Sequence, residues 1–308
     1  MRLIDHRLVV VLGKGGVGRT TVSAALAVAA AEAGKRVSVT EFGSGALPPL
    51  FGMTGQSWAF RAARPGVDVW SMTVPESLGE FASRKLGLPP FARGVVRNRL
   101  VTTFVDAIPG LHDLILLGKL ENLVNEPRDD DPVFDLTIVD APATGHGLTM
   151  LQAARTMSDI TRAGPFYDLA KGIEVFLADR DKTATVLVTL PEALPVSETT
   201  ELAEQLLDDG FRPHSIIANG VQDPPLPEVP PLAQVEATLS RIAQGDRLAT
   251  LVRSAAARRQ RHLDALADLR GQVDRLGLES PLVVPYVADR SVETMGRALT
   301  AQMTEENA

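Results

Sequence analysis

Two hydrophobic patterns alternate along the chain. Short, β-branched and almost wholly apolar runs recur at LVVVL (Leu8–Leu12), VSVTEF (Val37–Phe42), VDVWSMT (Val67–Thr73), LTIVDA (Leu136–Ala141), TVLVTL (Thr185–Leu190), SIIANG (Ser215–Gly220) and LVVPYV (Leu282–Val287). Between them lie longer segments whose apolar residues return every three or four positions. Continuous apolar runs are what strands covered on both faces require. Their alternation with helical segments predicts βαβ units on one mostly parallel sheet flanked by helices, an α/β fold.

Two helical blocks, roughly 76–126 and 148–177, are too long for simple crossovers and predict an inserted helical subdomain on one edge of the sheet. The first is broken at Leu88-Pro89-Pro90 and at Pro109-Gly110. Within it, Phe91–Ile108 and Leu111–Val124 are apolar on more than one stripe, so each is either buried or awaits an apolar partner. QDPPLPEVPP (Gln222–Pro231) is a proline-rich loop that continues neither element. Val235–Leu276 then reads as one helix with Leu248, Leu251, Val252 and Ala255 on one face; Arg253, Arg258, Arg259 and Arg261 make it locally basic. A solvated face accounts for those arginines. One domain over 1–308 is expected.

With 308 residues and 45% hydrophobic content, the chain can bury a full core. A formal charge of -7 argues against a surface that neutralises many phosphates, so no nucleic-acid partner is expected. Cysteine is absent, which excludes disulfides, thiolate metal sites, iron–sulfur clusters and thiol nucleophiles. The N-terminal residues lack the apolar core of a signal peptide. The longest apolar stretches fall short of the roughly eighteen residues that span a bilayer. A soluble, cytoplasmic protein is the expectation.

The chemistry concentrates in GKGGVGRTT (Gly13–Thr21), placed directly between the first apolar run and an alanine-rich helical segment. Glycines at 13, 15, 16 and 18 let backbone N–H groups turn inward as an anion nest at a helix start, and strand before and helix after are the context a phosphate loop needs. Gly13, Gly15, Gly16, Val17, Gly18, Arg19, Thr20 and Thr21 are the candidate nucleotide-binding residues. Arg19 stands where such loops carry lysine, Lys14 adds a second positive charge, and Thr20 is the candidate Mg²⁺ ligand.

The whole loop, with Lys14 directly after its first glycine, resembles that of the arsenite-pump and guided-entry (tail-anchored protein targeting) ATPase family, whose deviant loop serves dimeric ATPases. DAPATGH (Asp140–His146) is similar to the family's second switch, D-x-A-P-T-G-H, with Pro142 and Ala143 transposed and the Asp-to-His spacing intact. Pro191–Leu206 resembles the family's P-E-x-L-x-x-x-E-T segment, and Pro109-Gly110 opening an apolar helix also matches. The ordered set covers nearly the whole chain.

The resemblance implies ATP and Mg²⁺ as ligands. It implies that Lys14 reaches the partner subunit's nucleotide and that Asp140 holds the magnesium's water shell. It further implies that Gly145 senses the γ-phosphate, that Asn219 reads the adenine edge, and that Pro285 and Tyr286 flank the base. The first switch departs from the family. Glu41, followed by Phe42, Gly43 and Ser44, occupies the place of the aspartate that positions the attacking water. Its extra methylene moves the carboxylate by more than about 1 Å, a misplacement that can cost roughly a hundredfold. Glu41 is a water-positioner, or else a structural or ribose-facing carboxylate. Lys14, Arg19, Glu41 and Asp140 are the candidate catalytic residues.

Without cysteine, thiolate sensing of metalloid and a C-x-x-C zinc clamp between subunits are both excluded, and the chain looks most like the cysteine-free bacterial branch. A homodimer or a heterodimer with a paralogue is implied, with slow ATP hydrolysis and a hydrophobic or membrane-protein client. Two alternatives share the loop: a positioning ATPase of the chromosome-partitioning and division-site group, and a weakly hydrolysing subunit that pairs with an active paralogue. A ligase or kinase on the same sheet is a third. The acidic C-terminal residues, with only a weak apolar stripe, do not supply the membrane helix the positioning group uses.

Overall fold

The computed structural model describes residues 2–43, 45–85, 103, 105, 107–125, 133–142, 146–222, 232–242, 244–288 and 291–305. Gly145, Ser44, the Leu88-Pro89-Pro90 break, most of 91–108 and residues 223–231 of the proline-rich loop lie outside them.

All seven apolar runs form strands: β1 (Leu8–Gly13), β2 (Val37–Glu41), β4 (Val67–Ser71), β5 (Leu136–Asp140), β6 (Thr183–Thr189), β7 (Ser215–Val221) and β8 (Leu282–Pro285). An eighth, β3 (Arg61–Arg64), pairs antiparallel with β4 across a turn at Gly66, whose φ of 80° is left-handed. The order is β3-β4-β2-β5-β1-β6-β7-β8, parallel throughout except at that edge. Two arginines on a four-residue edge strand blunt an otherwise pairable border.

The helices are α1 (Arg19–Glu32), α2 (Val74–Lys85), α3 (Leu111–Asn125), α4 (His146–Thr161), α5 (Pro165–Ala178), α6 (Ala193–Asp208), α7 (Leu232–Leu239), α8 (Gly245–Arg275) and α9 (Val292–Glu305). β1 shows why its run is apolar throughout. Leu8, Val10 and Leu12 enter a core shared with residues of α2 to α6 and α8, while Val9 and Val11 enter a second core beneath α1 and α9. Each residue of the strand therefore leaves water on one face or the other.

The described residues of the helical block contribute to the first of these cores. In α3, Leu111, Leu114, Ile115, Leu116, Leu117, Leu120, Leu123 and Val124 are all buried, which explains its apolar excess. At its centre the Lys119 ammonium lies 2.9 Å from Glu80 of α2, both side chains under 10% exposed, and 5.4 Å and 5.9 Å from the rings of Trp58 and Trp70.

The segment after the proline-rich loop is two helices, not one. Gln244 adopts a left-handed φ of 63°, and a Cβ on Gly245 would lie 1.8 Å from the Leu239 carbonyl oxygen, so the chain breaks where only glycine fits. The stripe of Leu248, Leu251, Val252 and Ala255 is not a core face: Leu251 is 60% exposed, and burial is concentrated at Ala265, Leu266, Leu269 and Val273. No helix among the described residues is long and apolar enough to cross a membrane.

Candidate nucleotide site

Parallel register brings the carboxyl ends of β1, β2 and β5 level, with Asp140 opposite both Val11 and Glu41, and Glu41 opposite Ser71 at the end of β4. This edge is where open parallel sheets bind ligands. β1 delivers the chain to Gly13, and α1 begins six residues later with Gly18 as its N-cap at φ 87°. The glycines divide the work. A Cβ on Gly13 would lie 2.6 Å from the Val188 carbonyl, and one on Gly18 would lie 2.2 Å from the Asn219 amide nitrogen, so these two permit close approach. At Gly15 and Gly16 a Cβ would meet nothing within 4 Å, so there the loop is open to an incoming group. Val17 is buried beneath it, and Thr21 lies in the first turn of α1. That turn carries no acidic residue, leaving its N–H groups and the positive end of its dipole uncompensated.

The Thr20 hydroxyl donates to Asp140 Oδ2 at 2.6 Å, and Asp140 Oδ1 is buried without a hydrogen-bond partner. Burial pushes the Asp140 carboxyl up to about 6; the bond from Thr20 and the Arg19 guanidinium oppose this, and nearby Glu41 reinforces it. A hard cation held between a hydroxyl and this half-satisfied carboxylate removes the strain at its source, so the pair fits Mg²⁺.

Arg19 and Glu41 are each engaged in a way their positions in the chain do not disclose. Arg19 Nη1 donates to the carbonyls of Ala141 (2.6 Å) and Pro142 (2.5 Å), tying the loop to the second switch. Burial lowers its pKa, with Asp140 acting the other way. The Glu41 carboxylate, 1% exposed, accepts the backbone N–H groups of Gly45 (2.9 Å), Ala46 (2.9 Å) and Leu47 (3.0 Å) and, at 3.4 Å, the Ser71 hydroxyl. The first-switch loop is thus folded onto its own carboxylate. The readable signal was the small-residue run after Glu41, short enough to turn its N–H groups back.

Lys14 is half-buried and makes no hydrogen bond or ion pair with any described residue; it borders a narrow cleft with Pro142 and Gly147. Asn219 Nδ2 donates to the Val17 carbonyl at 2.9 Å, so this residue, 202 positions along the chain, sits on the loop. Pro285 ends β8, and the Tyr286 N–H donates to the Val221 carbonyl at 2.7 Å while its ring is 62% exposed. Tyr286, Gly220 and Leu190 border a cavity of about 900 Å³ beside α8. The structure therefore gathers Gly13 to Thr21, Asp140, Glu41 and Asn219, and places Tyr286 at a neighbouring opening.

A glycine nest at a helix start, a threonine–aspartate pair beneath it and an eight-stranded, mostly parallel sheet define a P-loop nucleotide-binding protein. More narrowly, residues 8–306 match the CobQ/CobB/MinD/ParA nucleotide-binding domain, and the chain belongs to that family. It is similar to the ATPase BagA of Mycobacterium tuberculosis, 34% identical over 225 residues that cover 71% of this chain and 66% of that protein. The match thus spans just under two thirds of that relative's length. A putative arsenical pump-driving ATPase of Aquifex aeolicus is 28% identical over 71% of this chain and 80% of its own. The ATPase GET3 of Candida glabrata is 25% identical over 70% and 72%. These names agree with the arsenite-pump and guided-entry resemblance of the loop and second switch.

Proposed function

We propose that the chain is a slowly hydrolysing ATPase switch of the arsenite-pump and guided-entry kind. It works as a homodimer and couples its nucleotide state to handling of a hydrophobic or membrane-protein client. The observation that carries this reading is the Thr20–Asp140 pair at the foot of an open glycine nest, with one carboxylate oxygen buried and unpaired.

In this reading the backbone N–H groups of the nest bind and orient the phosphates, while Thr20 and Asp140 hold Mg²⁺. When bound, the ion supplies positive charge against the phosphate oxygens. Asn219 and the Pro285-Tyr286 pair take the base, and Gly145 senses the γ-phosphate. Lys14, which makes no ion pair or hydrogen bond within its own described chain, reaches the partner's nucleotide.

Slow turnover follows from Arg19 and Glu41. Arg19, with Nη1 held by the Ala141 and Pro142 carbonyls, offers its remaining donors in one fixed arrangement to the ground state as much as to the transition state, and binding of that kind does not raise turnover. To orient water, Glu41 must first release the N–H groups of Gly45, Ala46 and Leu47. A deficit of about 3 kcal/mol in transition-state stabilisation slows the step roughly a hundredfold.

The test is phosphate release from ATP by the wild type, Lys14→Ala and Asp140→Ala, with and without Mg²⁺. Slow, Mg²⁺-dependent release that falls at least about tenfold in both variants is expected from the loss of charge-assisted contacts. Release indifferent to Mg²⁺ and to both substitutions would contradict the proposal. The client is tested by affinity capture with ATP and with ADP: recovery of membrane segments in one state only is expected, and equal recovery in both contradicts nucleotide coupling.

A further inference from the structure

At the amino ends of the strands, on the side of the sheet opposite the glycine nest, a cavity of about 390 Å³ opens among the segments that lead into β1, β6, β7 and β8. Each segment contributes. His6 precedes β1, Arg180 precedes β6, Arg212 and His214 precede β7, and Glu279 precedes β8. Four side chains able to carry positive charge thus converge on one pocket of a chain whose net charge is -7. Among the described lining residues, Glu279 is the single carboxylate.

The imidazoles are packed together rather than dispersed. His6 and His214 meet edge to face with ring centroids 5.0 Å apart. His6 is 3% exposed, and its Nδ1 donates to the Leu3 carbonyl at 3.1 Å, which fixes the proton on that nitrogen. Burial lowers the pKa of His6; its hydrogen bonds to the backbone at Leu3, Arg2 and Arg180 act the other way, and neighbouring His214 adds to the lowering. The geometry that favours an anion is the convergence of the Arg180 and Arg212 guanidiniums and the His214 imidazole on one cavity. Arg212 donates to the Gly277 carbonyl, which anchors one guanidinium at the rim, whereas the Thr183 hydroxyl is committed to Phe176. The volume lies at the lower end of the roughly 300–1,000 Å³ of small-molecule sites.

We infer that this cavity binds a small phosphate-bearing anion, held by Arg180, Arg212 and His214, with His6 packed behind His214, at a site separate from the nucleotide nest.

The probe is inorganic phosphate, titrated into the full chain while the resonances of its five histidines are followed by NMR. Saturable shifts at His6 and His214 are expected, sparing His112 and His262; His146 adjoins the glycine nest, itself an anion site, and is not part of the test. Since charge-assisted contacts are the strong ones, the exposed pair Arg180→Ala/Arg212→Ala should weaken binding at least about tenfold. Glu279→Gln should tighten it, because it removes the carboxylate from the lining. Equal shifts at His6, His214, His112 and His262, or a double arginine variant that binds as the wild type does, would overturn the inference. So would Glu279→Gln binding more weakly. None of these readouts depends on ATP turnover, so the proposed ATPase activity can fail while this site stands.

Discussion

Asp140 sets a direct test of the site, because its burial without a cation has a calculable cost. In the metal-free protein the carboxyl titrates at about 6 against an ordinary value of 3.8. A raised folded-state value means that the folded protein holds the proton more tightly than the unfolded chain. The associated stability is complete below about pH 4 and is lost as pH rises through about 6. At about 1.4 kcal/mol per pKa unit, the metal-free protein at pH 8 is destabilised by about 3 kcal/mol, and at pH 5 by about half of that. Asp140→Asn removes the charge and keeps an oxygen to accept from Thr20. With a chelator present, it should therefore melt higher than the wild type, by roughly 5 °C or more at pH 8 and by clearly less at pH 5. Added Mg²⁺ and nucleotide should reverse the order, because only the aspartate gains a cation. Thermal melts at the two pH values, with and without ligand, give all four comparisons. A variant no more stable than the wild type at pH 8, or a gain that does not depend on pH, would refute this account of Asp140.

Lys119→Met should destabilise by roughly 3–5 kcal/mol, since it takes the ammonium away from the buried Glu80 carboxylate, whereas the double change Lys119→Met/Glu80→Leu should recover most of that loss; chemical denaturation of the three variants checks it. Arg19→Lys should raise steady-state ATP turnover about tenfold or more without tightening ATP binding, which kinetics and calorimetry together decide. Gly18→Ala should abolish measurable ATP binding while leaving the fold intact, because its Cβ would lie 2.2 Å from Asn219 at a φ of 87°; calorimetry alongside circular dichroism separates the two.

The sheet was legible because six of its strands, β1, β2 and β4 to β7, are wholly or mostly buried, and a strand covered on both faces writes an apolar run directly into the chain. β3 was not legible for the opposite reason: four residues with an arginine at each end carry no apolar signal, and only the Pro65-Gly66 turn marked a hairpin. The break between α7 and α8 turns on Gly245 meeting the Leu239 carbonyl, a contact between residues whose neighbours all suit a helix. In the site, the glycines and Thr20 announced themselves by spacing, and Asp140 by the resemblance of its segment to the family's second switch. The partners of Arg19 and Glu41 did not, because both bind backbone groups, and a carbonyl or N–H has no letter in the sequence. The amino-end cavity was silent for another reason: His6, Arg180 and Arg212 are far apart in the chain and meet only through strand order.

The claim that joins loop, switch and partner is that nucleotide brings two copies together through Lys14. Sedimentation velocity of the wild type and Lys14→Ala, each with Mg²⁺ and a non-hydrolysable ATP analogue and each with ADP, tests it most directly. The wild type should sediment as a dimer with the analogue and as a monomer with ADP, and Lys14→Ala should remain monomeric in both. A wild type whose mass is the same in the two nucleotide states, or a Lys14→Ala protein that dimerises as readily as the wild type, would contradict it.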